Sequence, residues 1–254
     1  MNKFKAFTFD AKPKSKMSPS QAAEAKFRAA LKKIANASSH IVSVHVDGAT
    51  IADEAGMVKA LQDYSRLITP WARAQAKKLY TDTLKRINSD KAYRENAKRI
   101  NKLLSDEMFE REIEIKTKEM FLEQVGLIKS IPIEAGERAQ KLALEAVAGG
   151  RRADEIALEL IKTKDVTESR AILIARTETA RTNTVLNMAR AESVGSTQYI
   201  WRTSQDKAVR HSHKIMNGTV WRWDSPPTLE DGMTGHPGTF PNCRCYPEAI
   251  LPEE

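Results

Sequence analysis

The sequence predicts a mainly α-helical protein: an elongated helical N-terminal region with a small α+β module at its C-terminal end. Three observations predict it. Apolar residues recur at helical spacing over most of residues 53 to 195, whereas Gly, Pro and Trp crowd into residues 199 to 245. Both cysteines, three of the five histidines and three of the four tryptophans fall in that second stretch, so any site chemistry belongs there.

A chain of 254 residues can bury a core without covalent staples. It has no run of eighteen apolar residues, and Met1-Asn-Lys-Phe-Lys5 lacks the apolar segment of a secretory signal. The expectation is therefore no membrane span and a start in the cytoplasm. Two cysteines one residue apart are too few for a disulfide framework, and a bridge across one residue would be strained.

Three successive segments are expected. Residues 1–46 form a basic arm in which Lys3, Lys5, Lys12, Lys14, Lys16, Lys26, Arg28, Lys32 and Lys33 face only Asp10 and Glu24, so nearly all of the net charge of +8 sits here. The arm either touches nucleic-acid phosphates or is a solvated, solubilising terminus. A short helix is expected at about 20 to 36. A strand is expected at Ile41-Val-Ser-Val-His-Val46, before the turn signal Asp47-Gly48, with no evident pairing partner.

Residues 47–165 form a helical hairpin or bundle. Met57, Leu61, Tyr64, Leu67 and Ile68 mark one helical face, and Pro70 kinks or divides the rod that continues through Trp71 to Ile87. A second long helix is expected from about Asp90 to Ile128. A third, at about 134 to 148, follows Pro132 and stops at Gly149-Gly150, and a short fourth runs from Ala153 to Lys162.

Residues 166–254 combine a long helix with the C-terminal module. Thr167 is the expected N-cap, and the helix extends to about Gly195. Its ten positions Ala175-Arg-Thr-Glu-Thr-Ala-Arg-Thr-Asn-Thr184 hold no large apolar residue. Either Glu178 and Arg181 pair on the surface, or Arg176 and Glu178 are partly buried anchors for the module.

Within the module, Cys243 and Cys245 with His213 and His236 offer two thiolates and two imidazoles, a tetrahedral donor set for zinc. Cys-x-Cys is not the usual knuckle spacing, and on an extended chain both side chains share a face with Arg244 opposite. The bland alternative is a reduced, half-buried pair in loops knit by Trp201, Trp221 and Trp223, with Asp206 and Arg210 paired nearby. An enzymatic alternative arranges His213, Asn217 and His236 as a metal-dependent nuclease of His-Asn-His type. His236 precedes Pro237-Gly238 in a stretch unsuited to the helix such a site needs. A host nucleic-acid-binding protein would account for the basic arm only.

Ile174-Ala-Arg-Thr-Glu-Thr-Ala180, Tyr199-Ile-Trp-Arg-Thr203, Asp206 with Val209-Arg210 and Ser212-His213, Asn217-Gly218, Trp223-Asp-Ser-Pro-Pro227, His236-Pro-Gly238 and Cys243-Arg-Cys245 occur in that order. Together they resemble the phage Mu protein F-like head morphogenesis family over roughly residues 122 to 252, including Leu127-Ile-Lys-Ser-Ile-Pro132 at its entry. The resemblance implies a structural minor head protein of a tailed bacteriophage, present in the virion at the portal vertex and head interior. It implies the portal protein and double-stranded DNA as partners, with major capsid or scaffolding protein as further candidates. The implied role is head morphogenesis, DNA packaging or ejection, without catalytic residues. Arg176, Glu178, Trp201, Asp206, Arg210 and Gly218 stand at structural motif positions. His211 and Asn217 depart from the family pattern, where a small residue or Pro, and Asp, are expected.

Overall fold

The computed structural model describes residues 17–48, 50–90, 106–148 and 153–251. Its elements in chain order are α1 (Gln21–Ser43), β1 (Val46–Asp47), β2 (Thr50–Ile51), α2 (Glu54–Leu67), α3 (Thr69–Asn88), α4 (Asp106–Ala148), α5 (Ala153–Ile161), α6 (Thr163–Ser193), β3 (Gln198–Arg202), α7 (His211–Lys214), β4 (Val220–Arg222) and β5 (Tyr246–Ile250). The expected class holds: helices dominate, and a small sheet is confined to the C-terminal module. No helix among the described residues is long and apolar enough to cross a membrane.

The chain gathers into two compact units, each assembled from non-contiguous segments. One comprises residues 21–80 and 118–178. Its core joins Phe27, Leu31, Ile34 and Ala35 of α1 with Ile68, Ala72, Ala76 and Leu79, with Val125, Ile128 and Ile131 of α4, and with Ala171, Ile174 and Ala175 of α6. A second cluster packs Val42, Met57 and Leu61 against Ala135, Ala139, Leu142, Ile156 and Leu160.

Several local expectations are corrected here. The β-branched run after residue 40 is helical as far as Ser43, because Leu31, Ala35, Ser38 and Val42 share one buried face and tertiary burial outweighs strand propensity. Ser38 and Ser39 also donate their hydroxyls back to the carbonyls of Ile34 and Ala35. Only Val46–Asp47 is extended, and its partner is the next segment, Thr50–Ile51, across the turn at Gly48.

Pro132 does not separate two helices; it lies inside α4. A proline in a helix interior costs about 3 kcal/mol. Here Ile128, Ile131, Ala135, Ala139 and Leu142 are all buried at helical spacing across it, and each large apolar side chain returns about 1.5–3 kcal/mol. Burial therefore wins. Pro70 does divide its rod, with Ile68 capping α2 and α3 beginning at Thr69. α2 starts on Asp53, whose carboxylate accepts the Gly56 N–H at 2.8 Å. Thr167 is not an N-cap: α6 begins four residues earlier, and the Thr167 hydroxyl donates to the Thr163 carbonyl inside it at 2.6 Å.

The other unit comprises residues 1–20, 81–117 and 179–254, of which the stretches 1–16 and 91–105 and the final residues 252–254 fall outside the described part. The expected helix from Asp90 to Ile128 falls partly there too. The unit's sheet has strand order β4-β3-β5, antiparallel throughout, with Tyr199 opposite Trp221 and Trp201 opposite Pro247. Period-two alternation sends Tyr199 and Trp201 to the same face, and both are fully buried.

Candidate functional site

The site is built where the buried face of β3 meets the loops before and after β4. Tyr199 packs on Trp223 with ring centroids 4.5 Å apart, and its hydroxyl shares a 3.0 Å hydrogen bond with His236 Nδ1. Burial pushes the Tyr199 hydroxyl pKa up, and burial likewise pushes the His236 imidazole down. Trp223 donates its ring N–H to Ser196 Oγ at 3.2 Å. His236 thus belongs to an aromatic cluster with Tyr199 and Trp223.

Two residues along β3, Trp201 faces a second cluster. The rings of His213 and Trp201 meet edge to face at 5.7 Å, and Phe240 lies 5.1 Å from His213. His213 comes from the short helix α7, and Cys243 and Cys245 come from the segment that leads into β5. His213 Nδ1 lies 3.4 Å from Cys243 Sγ and 3.5 Å from Cys245 Sγ. All three residues are buried, and their candidate ligand atoms lie within 4.8 Å of one another.

The two thiols are inequivalent. Cys243 is held well below the ordinary thiol range, first by the hydrogen bond from Cys245 and then, against the cost of burial, by His213 and the Cys245 backbone. Cys245 is pushed up, chiefly by the same hydrogen bond to its neighbour and by burial. The backbone N–H of Cys245 donates to Cys243 Sγ at 3.4 Å.

Of the four residues expected to share zinc, His213, Cys243 and Cys245 come together and His236 does not, because its Nδ1 bonds Tyr199. The expected half-buried cysteine pair is fully buried. Asp206 does not pair with Arg210. Arg244, thrown to the opposite side by the Cys-x-Cys alternation, donates to Asp206 Oδ1 at 2.8 Å, and Arg210 donates to the Pro241 carbonyl at 2.7 Å. Gly218, at φ +87°, donates its N–H to the Trp201 carbonyl. Asn217 Oδ1 accepts from the Thr203 N–H at 3.0 Å, a bond that an aspartate at this position would also make. His213, Asn217 and His236 are each committed to a different contact, so the nuclease arrangement is not assembled. His211 is exposed and lies 3.8 Å from Glu230.

The polar stretch of α6 is buried around most of its circumference. Glu178, Thr179, Thr182, Asn183, Thr184 and Asn187 are all at most 2% exposed, which removes the surface-pair reading of Glu178 with Arg181. Within the C-terminal unit, Thr184 Oγ1 donates to the Pro237 carbonyl at 2.6 Å, and the Asn183 and Asn187 amides donate to the Met17 carbonyl at 2.6 and 3.1 Å. Arg176, on the other unit, pairs with Glu24 at 3.4 Å. Thr184, Asn183 and Phe240 are contributors that site reasoning passed over, and Ser212, quoted in a motif without a role, donates to Asp231. Only the lack of apolar residues around Thr184 signalled the first two.

Of the basic arm, Lys3, Lys5, Lys12, Lys14 and Lys16 lie outside the described residues. Lys26 and Lys33 are exposed on α1, Arg28 is partly exposed, and Lys32 is paired with Glu168 at 3.2 Å.

Comparison with known proteins agrees with the motifs. An uncharacterized protein of Haemophilus influenzae strain Rd is 38% identical over 60 residues, which is 24% of this chain and 12% of that protein. The chain thus spans far less than two thirds of that relative. No solved structure matches it. Residues 137–247 match the family model described as Phage Mu protein F like protein, a stretch that holds every motif from Ile174 to Cys245 but begins after Leu127–Pro132. Over those residues, which make up less than half of the chain, it is similar to phage Mu protein F.

Proposed function

We propose that the chain is a structural minor head protein of a tailed bacteriophage, seated at the portal vertex in contact with the portal protein and the packaged double-stranded DNA. The observation that carries this reading is the family match over residues 137–247, which takes in both the buried polar face of α6 and the module that bonds to it. The polar face serves as a fixed mount, since hydrogen bonds at Thr184 and Asn183 set position more than they add stability. The C-terminal module is then presented to its partner as a shaped surface, and its work in assembly, packaging or ejection is mechanical.

Glu178 tests the mount. Glu178 is 2% exposed and takes part in a polar or electrostatic interaction, so Glu178→Ala removes a buried polar group together with that interaction. The expected loss is about 1–3 kcal/mol, against under about 0.5 for a surface pair. Incorporation into heads should fall in parallel, as measured by quantitative protein analysis of purified virions. Wild-type thermal stability together with wild-type incorporation would remove the mount from the reading.

DNA contact is tested with the arm. Deletion has to stop at residue 16, because the Met17 carbonyl holds Asn183 and Asn187 and α1 carries core residues. Removing the five lysines before Met17 should flatten the dependence of log affinity on log salt by about four to five, at about 0.9 per phosphate contact. Affinity should be independent of base sequence. An unchanged salt slope would assign the arm to solubility alone.

A further inference from the structure

We infer that His213, Cys243 and Cys245 form a three-ligand site for a thiophilic divalent cation, zinc by the match of donors and spacing, with its fourth position facing an adjoining cavity. The three side chains are between 2% and 5% exposed, and none of them is used by the mounting contacts on α6.

The spacing carries the argument. Around a tetrahedral zinc with Zn–S of about 2.3 Å and Zn–N of about 2.0–2.1 Å, each nitrogen-to-sulfur edge is about 3.5 Å. The two edges here are 3.4 and 3.5 Å. Hydrogen bonding alone would have to split a single Nδ1 lone pair or hydrogen between two sulfurs, which weakens each bond. A cation at the centre serves all three atoms at once. The Cys245 backbone N–H donates to Cys243 Sγ, a contact that a metal-bound sulfur also accepts. Two sulfurs and one imidazole, with no carboxylate among them, select zinc over magnesium, calcium or manganese.

The fourth position is not supplied by His236. A cavity of about 50 Å³ touches all three ligands and is otherwise lined by groups including Ser204, Arg210, Asn242 and Arg244, room for a water molecule beside the ion. His213 Nε2 is buried and has no hydrogen-bond partner among the described residues, so the ring is held in place by Trp201 and Phe240 instead of by a polar acceptor. Bound metal would tie α7 to the segment entering β5, two pieces of chain separated by residues 215–242, which include β4.

The test uses the full-length protein, purified under reducing conditions without chelators. Elemental analysis should give about one zinc per chain, and replacement by cobalt(II) should produce a sulfur-to-cobalt charge-transfer band. C243S and C245S should lower the stoichiometry from about one to near zero, whereas His236→Gln should retain both metal and band. Cadmium NMR of the wild-type protein, which needs no variant to fold, should show coupling to one histidine nitrogen. Wild-type protein with no zinc and no charge-transfer band overturns the site, and coupling to two histidines overturns the three-ligand set.

Discussion

Trp201→Ala should lower the stability of the C-terminal unit by about 3–5 kcal/mol, the usual cost of truncating a fully buried tryptophan. Trp201 is 0% exposed on the middle strand of the sheet, with His213 and Phe240 against its ring. Its backbone also accepts from Gly218 and donates to Thr219, so the side chain cannot be replaced by a shift of the strand. The hole left behind would be walled by two aromatic rings, one held on α7 and one on the segment before β5, and such walls collapse poorly. Trp201→Phe keeps much of the volume and should cost about half as much or less. Denaturant unfolding followed by tryptophan emission and near-ultraviolet circular dichroism measures both. A cost below about 1 kcal/mol for the alanine variant would mean that the ring is not part of a packed core.

The contrast between Trp201 and its surroundings shows how much was legible in the sequence. Its strand, alternation and company of aromatic residues could be read from Tyr199-Ile-Trp-Arg-Thr203, and the sharing of one face by Cys243 and Cys245 follows from a two-residue spacing. The partner of each group could not be read, because it is set by loops whose paths have no periodicity. His213 and His236 are chemically equivalent in the sequence, yet one meets sulfur and the other meets Tyr199. Asp206 had two arginines to choose from, and the alternation that buries both cysteines turns Arg244 toward it. The helices were legible where burial and propensity agree. They were misread at residues 41–43 and at Pro132, where distant apolar partners outweigh the local signal. The polar stretch of α6 is a third kind of case. The missing apolar residues at 175–184 marked it as a contact surface, but the carbonyls of Pro237 and Met17 that satisfy Thr184 and Asn183 are backbone groups and leave no trace in residue identity.

Gly238→Ala should be comparably damaging, for reasons that can be measured apart. Gly238 sits at φ +89°, a conformation that costs a residue with a Cβ about 1–3 kcal/mol. A Cβ there would also stand 2.5 Å from Thr184 Oγ1, 2.9 Å from the Cys245 carbonyl oxygen and 3.1 Å from that of Ala180. Two of the three are backbone atoms, one on α6 and one beside the cysteine cluster, so relief requires moving the loop off the helix and breaking the bond from Thr184 to Pro237. Overpacking of this kind adds about 1–3 kcal/mol, for a total of about 2–5. Gly232 supplies the control: its φ is +81°, but nothing lies within 4 Å of its added Cβ, so Gly232→Ala carries the backbone strain alone. Adding Thr184→Ala to Gly238→Ala removes the nearest atom but leaves both carbonyls, and should recover only a minor part of the loss. Equal costs for Gly238→Ala and Gly232→Ala in thermal unfolding would show that the loop is not pressed against α6, and the mount proposed for the module would lose its main contact.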